Sequence, residues 1–461
     1  MKKKTFFFLS SIVVFVIVFG IVVLNYKTIR YLIPNSLKEN LPTSILLFHE
    51  NVMIPIQTKI NAFKNHNYFY NAVFLPETHF TSLNIKKYSL QNDKNINDQI
   101  FSEEKTHYFL DLYEDNVFVT SAEANLFYFK QEDLNSENKE LTLTKIDTNL
   151  TDLKPELTVL DSYINDGYIF LSGYQYSLNE NKNCKKFRLY RAPLNYEKIN
   201  FEKIYNNNQC AFAKFMQAGR IQKYILDGQN GILFSMGENE IDKPNKLPQD
   251  DFSDYGKFIF LDLDNLQTQV FSKGHRNPQG LLVDGNDILS TEHGPYGGDE
   301  INKIKRGKNY GWPLASYGTY YNTDKKKYLK SHEKYGFEEP IFTFIKAIGI
   351  SEIIKIPNIF IGENDMDNLY FVSSLNGRSL FLIKLENNKE KVSFIEKIFI
   401  NHRIRDLKYI EKYNSVILAL EHPSRIAILK NIDNWGFLIK KILIMVPPHG
   451  FEPRTYWLQI E

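Results

Sequence analysis

The sequence predicts an all-β protein: a six-bladed β-propeller of four-stranded antiparallel blades, preceded by one N-terminal transmembrane helix. Three observations carry that expectation. Short apolar, aromatic and β-branched runs are broken by Asp, Asn and Gly turns, with no long amphipathic helical pattern among them. A form made of a turn, a strand, a polar break and a second strand returns six times. An uncharged apolar stretch opens the chain.

That stretch runs from Phe6 to Leu24 behind Lys2, Lys3 and Lys4. At about 1.5 Å per residue it covers roughly a bilayer core. A cleaved signal peptide, the competing reading, has an apolar region of about 7–15 residues and a small-residue cleavage site, and neither is evident before Asn25. Residues 1–27 are therefore expected to form a retained signal anchor. The three lysines favour a cytoplasmic N-terminus, although Lys27 and Arg30 on the far side weaken that bias. The body is thus expected on the extracytoplasmic, periplasmic side of the inner or plasma membrane, held by a single pass. Residues 28–68 mix polar and apolar residues and read as a stalk.

The propeller is expected over 69–443. Its six repeats are Asp115–Val119 with Leu126–Phe129, Asp166–Leu171 with Phe187–Tyr190, Asn230–Phe234 with Phe258–Leu261, then Asn286–Ser290, Asn368–Val372 with Leu380–Ile383, and Asn414–Leu418 with Ile426–Leu429. They recur roughly 45 to 80 residues apart, as four-stranded blades with loop insertions require. A pair of β-sandwiches or an irregular β-solenoid is the competing architecture. After about Leu443 the pattern ends, and 444–461 reads as an irregular tail.

Composition narrows the function. Lys plus Arg number 56 and Asp plus Glu 54, for a net charge of +2, which supplies no field of the kind that neutralises nucleic-acid phosphates. DNA and RNA are not expected partners. The two cysteines, Cys184 and Cys210, lie in the exported part. An oxidising compartment permits a bridge between them; two separate thiols are the alternative.

The densest glycine and polar signal runs from Gly274 to Gly318: Gly-His-Arg-Asn-Pro-Gln-Gly-Leu at 274–281, Glu-His-Gly-Pro-Tyr-Gly-Gly-Asp-Glu-Ile-Asn at 292–302, Gly307-Lys308-Asn309-Tyr310-Gly311-Trp312-Pro313, and Ser316-Tyr317-Gly318. Glycines and prolines at this density hold main-chain carbonyls in fixed turns, and oxygen-rich turns beside carboxylates suit a hard cation such as Ca²⁺. A hydrated loop between blades is the plain alternative.

This segment resembles the signature of the soluble glucose/sorbosone dehydrogenase family, quinoprotein aldose dehydrogenases that bind pyrroloquinoline quinone (PQQ) and calcium on a six-bladed propeller. A looser similarity extends from about Asp166 to Leu429 and takes in Leu375-Asn376-Gly377-Arg378-Ser379-Leu380 and His402-Arg403-Ile404-Arg405-Asp406. The resemblance implies that Gly294 and Pro295 offer carbonyls to a calcium that also holds the quinone, acting as a Lewis acid. It implies a second, structural calcium at Glu300 and Tyr310. Arg276 and Asn277 would face the quinone, with the guanidinium stabilising negative charge on the reduced oxygen. Arg403 and Arg405 match the family's Arg-x-Arg, which grips cofactor carboxylates; two residues apart on a strand, they share a face.

Two positions depart from the pattern. Gln217, in Met216-Gln217-Ala218-Gly219-Arg220-Ile221, stands where the family has its catalytic histidine base, and no histidine occurs between His107 and His275. A neutral amide accepts no proton at physiological pH. Asn376 stands where the family commonly has a lysine that contacts the cofactor. His275 and His293 belong to the ordinary motif and are not substitute bases; a carboxylate supplied by the fold remains a candidate. The resemblance thus leaves two readings. One is a membrane-anchored dehydrogenase that oxidises a sugar to its lactone and passes electrons to a respiratory acceptor. The other is a non-catalytic propeller that binds a glycan, small ligand or protein. The chain carries no Gly-x-Ser-x-Gly elbow, Walker A loop, His-Glu-x-x-His helix or Rossmann fingerprint.

Overall fold

The computed structural model describes residues 83–92, 107–153, 156–176, 184–210, 217–238, 246–319, 328–361, 367–421 and 424–431. The expected transmembrane segment (1–27), stalk (28–68) and tail (444–461) lie outside the described residues. Among the described residues no helix is long and apolar enough to cross a membrane. All of them belong to the unit Glu77–Glu461.

The fold is all-β. Six groups of four strands follow one another along the chain, and their first strands are Tyr108–Tyr113, Leu157–Asn165, Ile221–Leu226, Pro278–Asp284, Ile350–Ile356 and Arg403–Ile410. Each group is an antiparallel sheet. The sixth is completed from the other end of the chain: Leu83–Asn92 pairs antiparallel with Arg425–Asn431, Lys87 opposite Ala427. The same strand continues parallel to Glu140–Thr148 and so joins the sixth sheet to the first. First strands of successive sheets touch in chain order, and the sixth touches the first, closing a ring. This arrangement is consistent with a six-bladed propeller.

The repeats read from the sequence are the second and third strands of these sheets. Ser415–Glu421 and Leu369–Ser374 are buried at every residue. A strand covered on both faces by neighbouring sheets reads as a near-continuous apolar run rather than an alternation. Between the second and third sheets the core packs Phe187 flat on Phe234 with centroids 5.6 Å apart, with Tyr174, Tyr255 and Ile259 around them.

Turns set the register. Asp166-Gly167 and Asp227-Gly228 both take positive φ and close two-residue hairpins between first and second strands. The third repeat's turn is therefore Asp227-Gly228 and not Asn230-Gly231, which lies inside Gln229–Met236. Gly231 is needed there for another reason: a Cβ would come within 2.4 Å of both the Leu261 carbonyl and the Phe260 ring. Cys184 and Cys210 form a disulfide across 26 residues.

In each antiparallel sheet the start of the first strand and the turn between the second and third strands lie at one end. That end gathers Gln217, Glu238, Arg276, Asn277, the 293–298 turn, Asn376, Arg378, Arg403, Arg405 and Glu421. The hairpins Asp166-Gly167 and Asp227-Gly228 lie at the other.

Candidate active site

Arg276 and Asn277 immediately precede the first strand of the fourth sheet, and both are buried. Arg276 Nη1 donates to the carbonyls of His293 at 3.0 Å and Gly294 at 2.8 Å, so the guanidinium lies against the turn that carries Gly294 and Pro295. The turn is tight: a Cβ on Gly294 would sit 2.2 Å from the Gly297 carbonyl and 2.3 Å from that of Gly298. Asp299 ties it down, accepting from the Gly294 amide through Oδ1 and from the Ile348 and Ile350 amides through Oδ2.

Asn277 Oδ1 accepts from the Ala218 amide at 3.1 Å, which brings the segment after Gln217 to this site. Gln217 is half-buried, and its carbonyl accepts from the Gly237 amide. The residue after Gly237 is Glu238, which the sequence reading did not single out. Its carboxylate is 4% exposed, takes the Trp312 indole N–H at 2.6 Å through Oε2 and lies 3.6 Å from Arg276 Nε through Oε1. No local pattern marks this residue, because its partners are 38 and 74 positions away.

Neither histidine of the motif is available as a base. His275 is fully buried with its ring nitrogens engaged by Ser272 Oγ and Glu292. His293 bonds Asn277 through Nδ1 and the Ile350 carbonyl through Nε2. Burial holds the His293 pKa below its ordinary value; Asp299 opposes the shift and Arg276 adds to it.

Arg403 and Arg405 share a face, as their spacing predicts. Their Nε atoms both donate to the buried carboxylate of Glu421, at 3.0 and 2.6 Å. Burial alone would raise the Glu421 pKa, but Arg405, His107 and Arg403 together hold it well below the carboxylate range. Arg405 Nη1 also reaches Gln279 Oε1 at 3.2 Å, while the Nη groups of Arg403 have no partner among the described residues. Asn376 lies in the exposed turn between the second and third strands of the fifth sheet.

Glu300 and Tyr310 line one small cavity with Glu292, His332 and Gly294; about 10 Å³ is open in it, room for roughly one water or ion. Burial raises the Glu300 pKa well above its ordinary value, and the neighbouring Glu292 carboxylate adds to that. The Glu292 carboxylate is engaged by His275 and by the Arg276 and Asn277 amides, so Glu300 is the side-chain oxygen donor that this void leaves for a hard cation. The Tyr310 phenol is no such donor: it donates to the Lys303 carbonyl and accepts from the Lys305 amide. No cluster of three or more His, Cys, Asp or Glu residues is arranged to hold a metal ion among the described residues. A cation here would need main-chain oxygens as well.

Along the ring axis lies a second ionic group. Arg220 Nη1 is 2.9 Å from both Asp161 and Glu352, and Lys408 Nζ is 3.9 Å from both Asp111 and Asp406. Arg220 also donates to the carbonyls of Gln279 and Arg405, which anchors the axis to the site above it.

Comparison with known proteins agrees with this arrangement. The glucose/sorbosone dehydrogenase family matches residues 107–426. The chain is 33% identical over 179 residues to the aldose sugar dehydrogenase YliI of Escherichia coli (strain K12), covering 34% of this chain and 47% of that one. It thus spans about half the length of that curated relative. The soluble aldose sugar dehydrogenase of Escherichia coli in its apo-form superposes with a TM-score of 0.57 at 19% identity, over 76% of this chain and all of that one. The PQQ-bound aldose sugar dehydrogenase of Streptomyces coelicolor gives 0.52 at 18%, over 76% and 98%. At these identities the structural likeness is one of fold. With the family match covering 107–426, which includes all but the closing strand and the last residues of the ring of sheets, the chain belongs to the glucose/sorbosone dehydrogenase family.

Proposed function

We propose that the protein is a membrane-anchored, extracytoplasmic quinoprotein aldose dehydrogenase. In this reading it oxidises a sugar to its lactone and delivers the electrons to a respiratory acceptor. One observation carries the reading: Arg276, Asn277 and Gly294 of the fourth sheet and Arg403 and Arg405 of the sixth meet at one end of the ring, joined by hydrogen bonds through Gln279 and Arg220. The anchor is the apolar stretch Phe6–Leu24 behind three lysines.

When bound, PQQ would supply the acceptor for the sugar's hydride and its electrons. The residues present fit it. Arg403 offers to a carboxylate Nη groups that have no partner among the described residues, and Glu421 fixes the orientation of both guanidiniums from behind. In the family's pattern Gly294 and Pro295 would give main-chain oxygens to Ca²⁺ beside Arg276, and Glu300 would hold the structural ion. Arg276 places positive charge where negative charge develops.

Gln217 cannot take the proton of the sugar hydroxyl. We assign that role to Glu238 Oε1, beside Arg276 Nε, while Trp312 fixes the other carboxylate oxygen. Geometry comes before pKa in choosing a base, and Glu238 is the buried carboxylate beside the Arg276 guanidinium.

The second reading, a non-catalytic propeller that binds a glycan, small ligand or protein, is favoured by the amide at position 217. Dye-linked oxidation of a panel of aldoses by protein loaded with PQQ and Ca²⁺ separates the two. Turnover supports the dehydrogenase, and its absence with the cofactor bound supports the second reading.

A further inference from the structure

At the opposite end of the ring, between the second and third sheets, lies a cavity of about 200 Å³ that the proposed chemistry does not use. It is smaller than the roughly 300–1,000 Å³ of drug-sized sites, which limits it to a single-ring ligand. Its floor is apolar: Phe170 and Ile232 are 4% and 1% exposed. One wall is aromatic, since Tyr168 keeps 42% of its surface exposed, an unusual state for a large ring beside a core.

The rim offers hydrogen-bonding groups of both kinds. Arg191 is held in place by Glu202, which accepts from Nε at 3.1 Å and Nη2 at 2.7 Å, and its guanidinium covers the Tyr168 ring at 5.6 Å. Nη1 is left as a donor without a partner among the described residues. Asp264 uses its amide to bond Asp262, and its carboxylate has no partner among the described residues. The Asn230 carbonyl accepts from Leu263, while its side-chain amide likewise has none. Lys223 is closed off by Asp166. Two cations, Arg191 and Lys223, face two carboxylates, Asp166 and Asp264, so the lining is neutral.

We propose that this cavity binds one neutral sugar ring. An apolar floor and aromatic wall suit the C–H faces of a pyranose. A fixed donor, a free carboxylate and an amide suit its hydroxyls, each of which both donates and accepts. An anionic sugar finds no uncommitted cation, since Glu202 holds Arg191 and Asp166 holds Lys223, and a flat apolar ring leaves the rim groups unsatisfied. The site lies at the far end from Arg276 and Arg403, so the inference does not depend on the quinone reading.

The test titrates the full chain, in chelator and without quinone, with glucose, galactose and mannose separately, and reads binding by ligand-observed NMR. Glucuronate serves as the charged control. At least one hexose saturates with a millimolar Kd. Asp264→Ala and Tyr168→Ala each weaken it about tenfold, which is about 1.4 kcal/mol, and Arg403→Ala leaves it unchanged. Both substituted side chains are solvent-exposed, and an unchanged melting temperature shows that the variants are folded. The proposal is overturned if none of the three hexoses saturates by about 50 mM, if binding survives both cavity substitutions, if it depends on Arg403, or if glucuronate binds as tightly as the hexoses.

Discussion

Arg276 Nη1 donates to the main-chain carbonyl of Gly294 at 2.8 Å. One contact therefore links the guanidinium expected to face the quinone with the oxygen expected to face calcium, and each positions the other. Arg276→Ala is expected to lower kcat by about 10²–10³, the usual loss when a preorganised charge-stabilising donor is removed. Arg276→Lys rescues little, because one ammonium cannot at once reach the His293 and Gly294 carbonyls as Nη1 does, lie beside Glu238 as Nε does and cover the Trp312 ring. Steady-state kinetics on the loaded protein checks both.

Glu238 carries the proton in this account. Glu238→Gln keeps the shape and can still accept the Trp312 indole N–H, but it removes the base. The expected result is a fall in kcat of about 10²–10⁴ with PQQ affinity within a few-fold of the parent. Parent-like turnover in this variant would place the base elsewhere.

The axial ion cluster should make stability depend on pH. Burial raises the pKa values of Asp111, Asp161 and Glu352, each to about 7. Groups raised in the folded state bind more protons there than in the unfolded chain. Their contribution is therefore complete below about pH 4 and is lost as pH rises through about 7. Glu421 acts in the opposite sense, and its contribution fades as pH falls below the ordinary carboxylate range. Asp111→Asn should thus flatten the decline in stability between pH 5 and 8 seen in denaturant titrations. An unchanged slope would show that Asp111 is ionised in the fold.

Calcium should stabilise the ring through Glu300. Saturating Ca²⁺ at about 100 times Kd adds about 2.7 kcal/mol by mass action, seen as a higher melting temperature that chelator reverses. Glu300→Gln should abolish most of that shift. It should also make the stability of the calcium-free protein less sensitive to rising pH, because Glu300, raised by burial and by Glu292, no longer has to ionise beside that carboxylate. A full shift in the variant would place the ion elsewhere.

Much of the fold was legible because its most buried strands look the same in every repeat. Ser415–Glu421 and Leu369–Ser374 announce themselves as apolar runs. The strand that closes the ring did not: Leu83–Asn92 has lysines at 86 and 87, and only its pairing with Arg425–Asn431 identifies it. At the site, residues clustered along the chain were readable, from Arg276 to Glu300 and from Arg403 to Arg405. Glu238 and the axial group of Asp111, Asp161, Arg220, Glu352 and Asp406 were not, because each acquires its role from partners on other sheets, and Glu421 was not, because it meets Arg403 and Arg405 only through the register of two paired strands. Tyr310, read as a calcium neighbour, lines the same cavity as Glu300, and with its phenol committed to Lys303 and Lys305 any oxygen it gave a cation would be main-chain.

The most direct test is an absorbance titration of the protein with PQQ in the presence of Ca²⁺, followed by addition of an aldose. The account predicts saturable binding and loss of the oxidised-quinone absorbance when the sugar is added, with Glu238→Gln binding the quinone but not bleaching it. Failure of the parent protein to bind PQQ, or binding with no bleaching by any aldose, would contradict it.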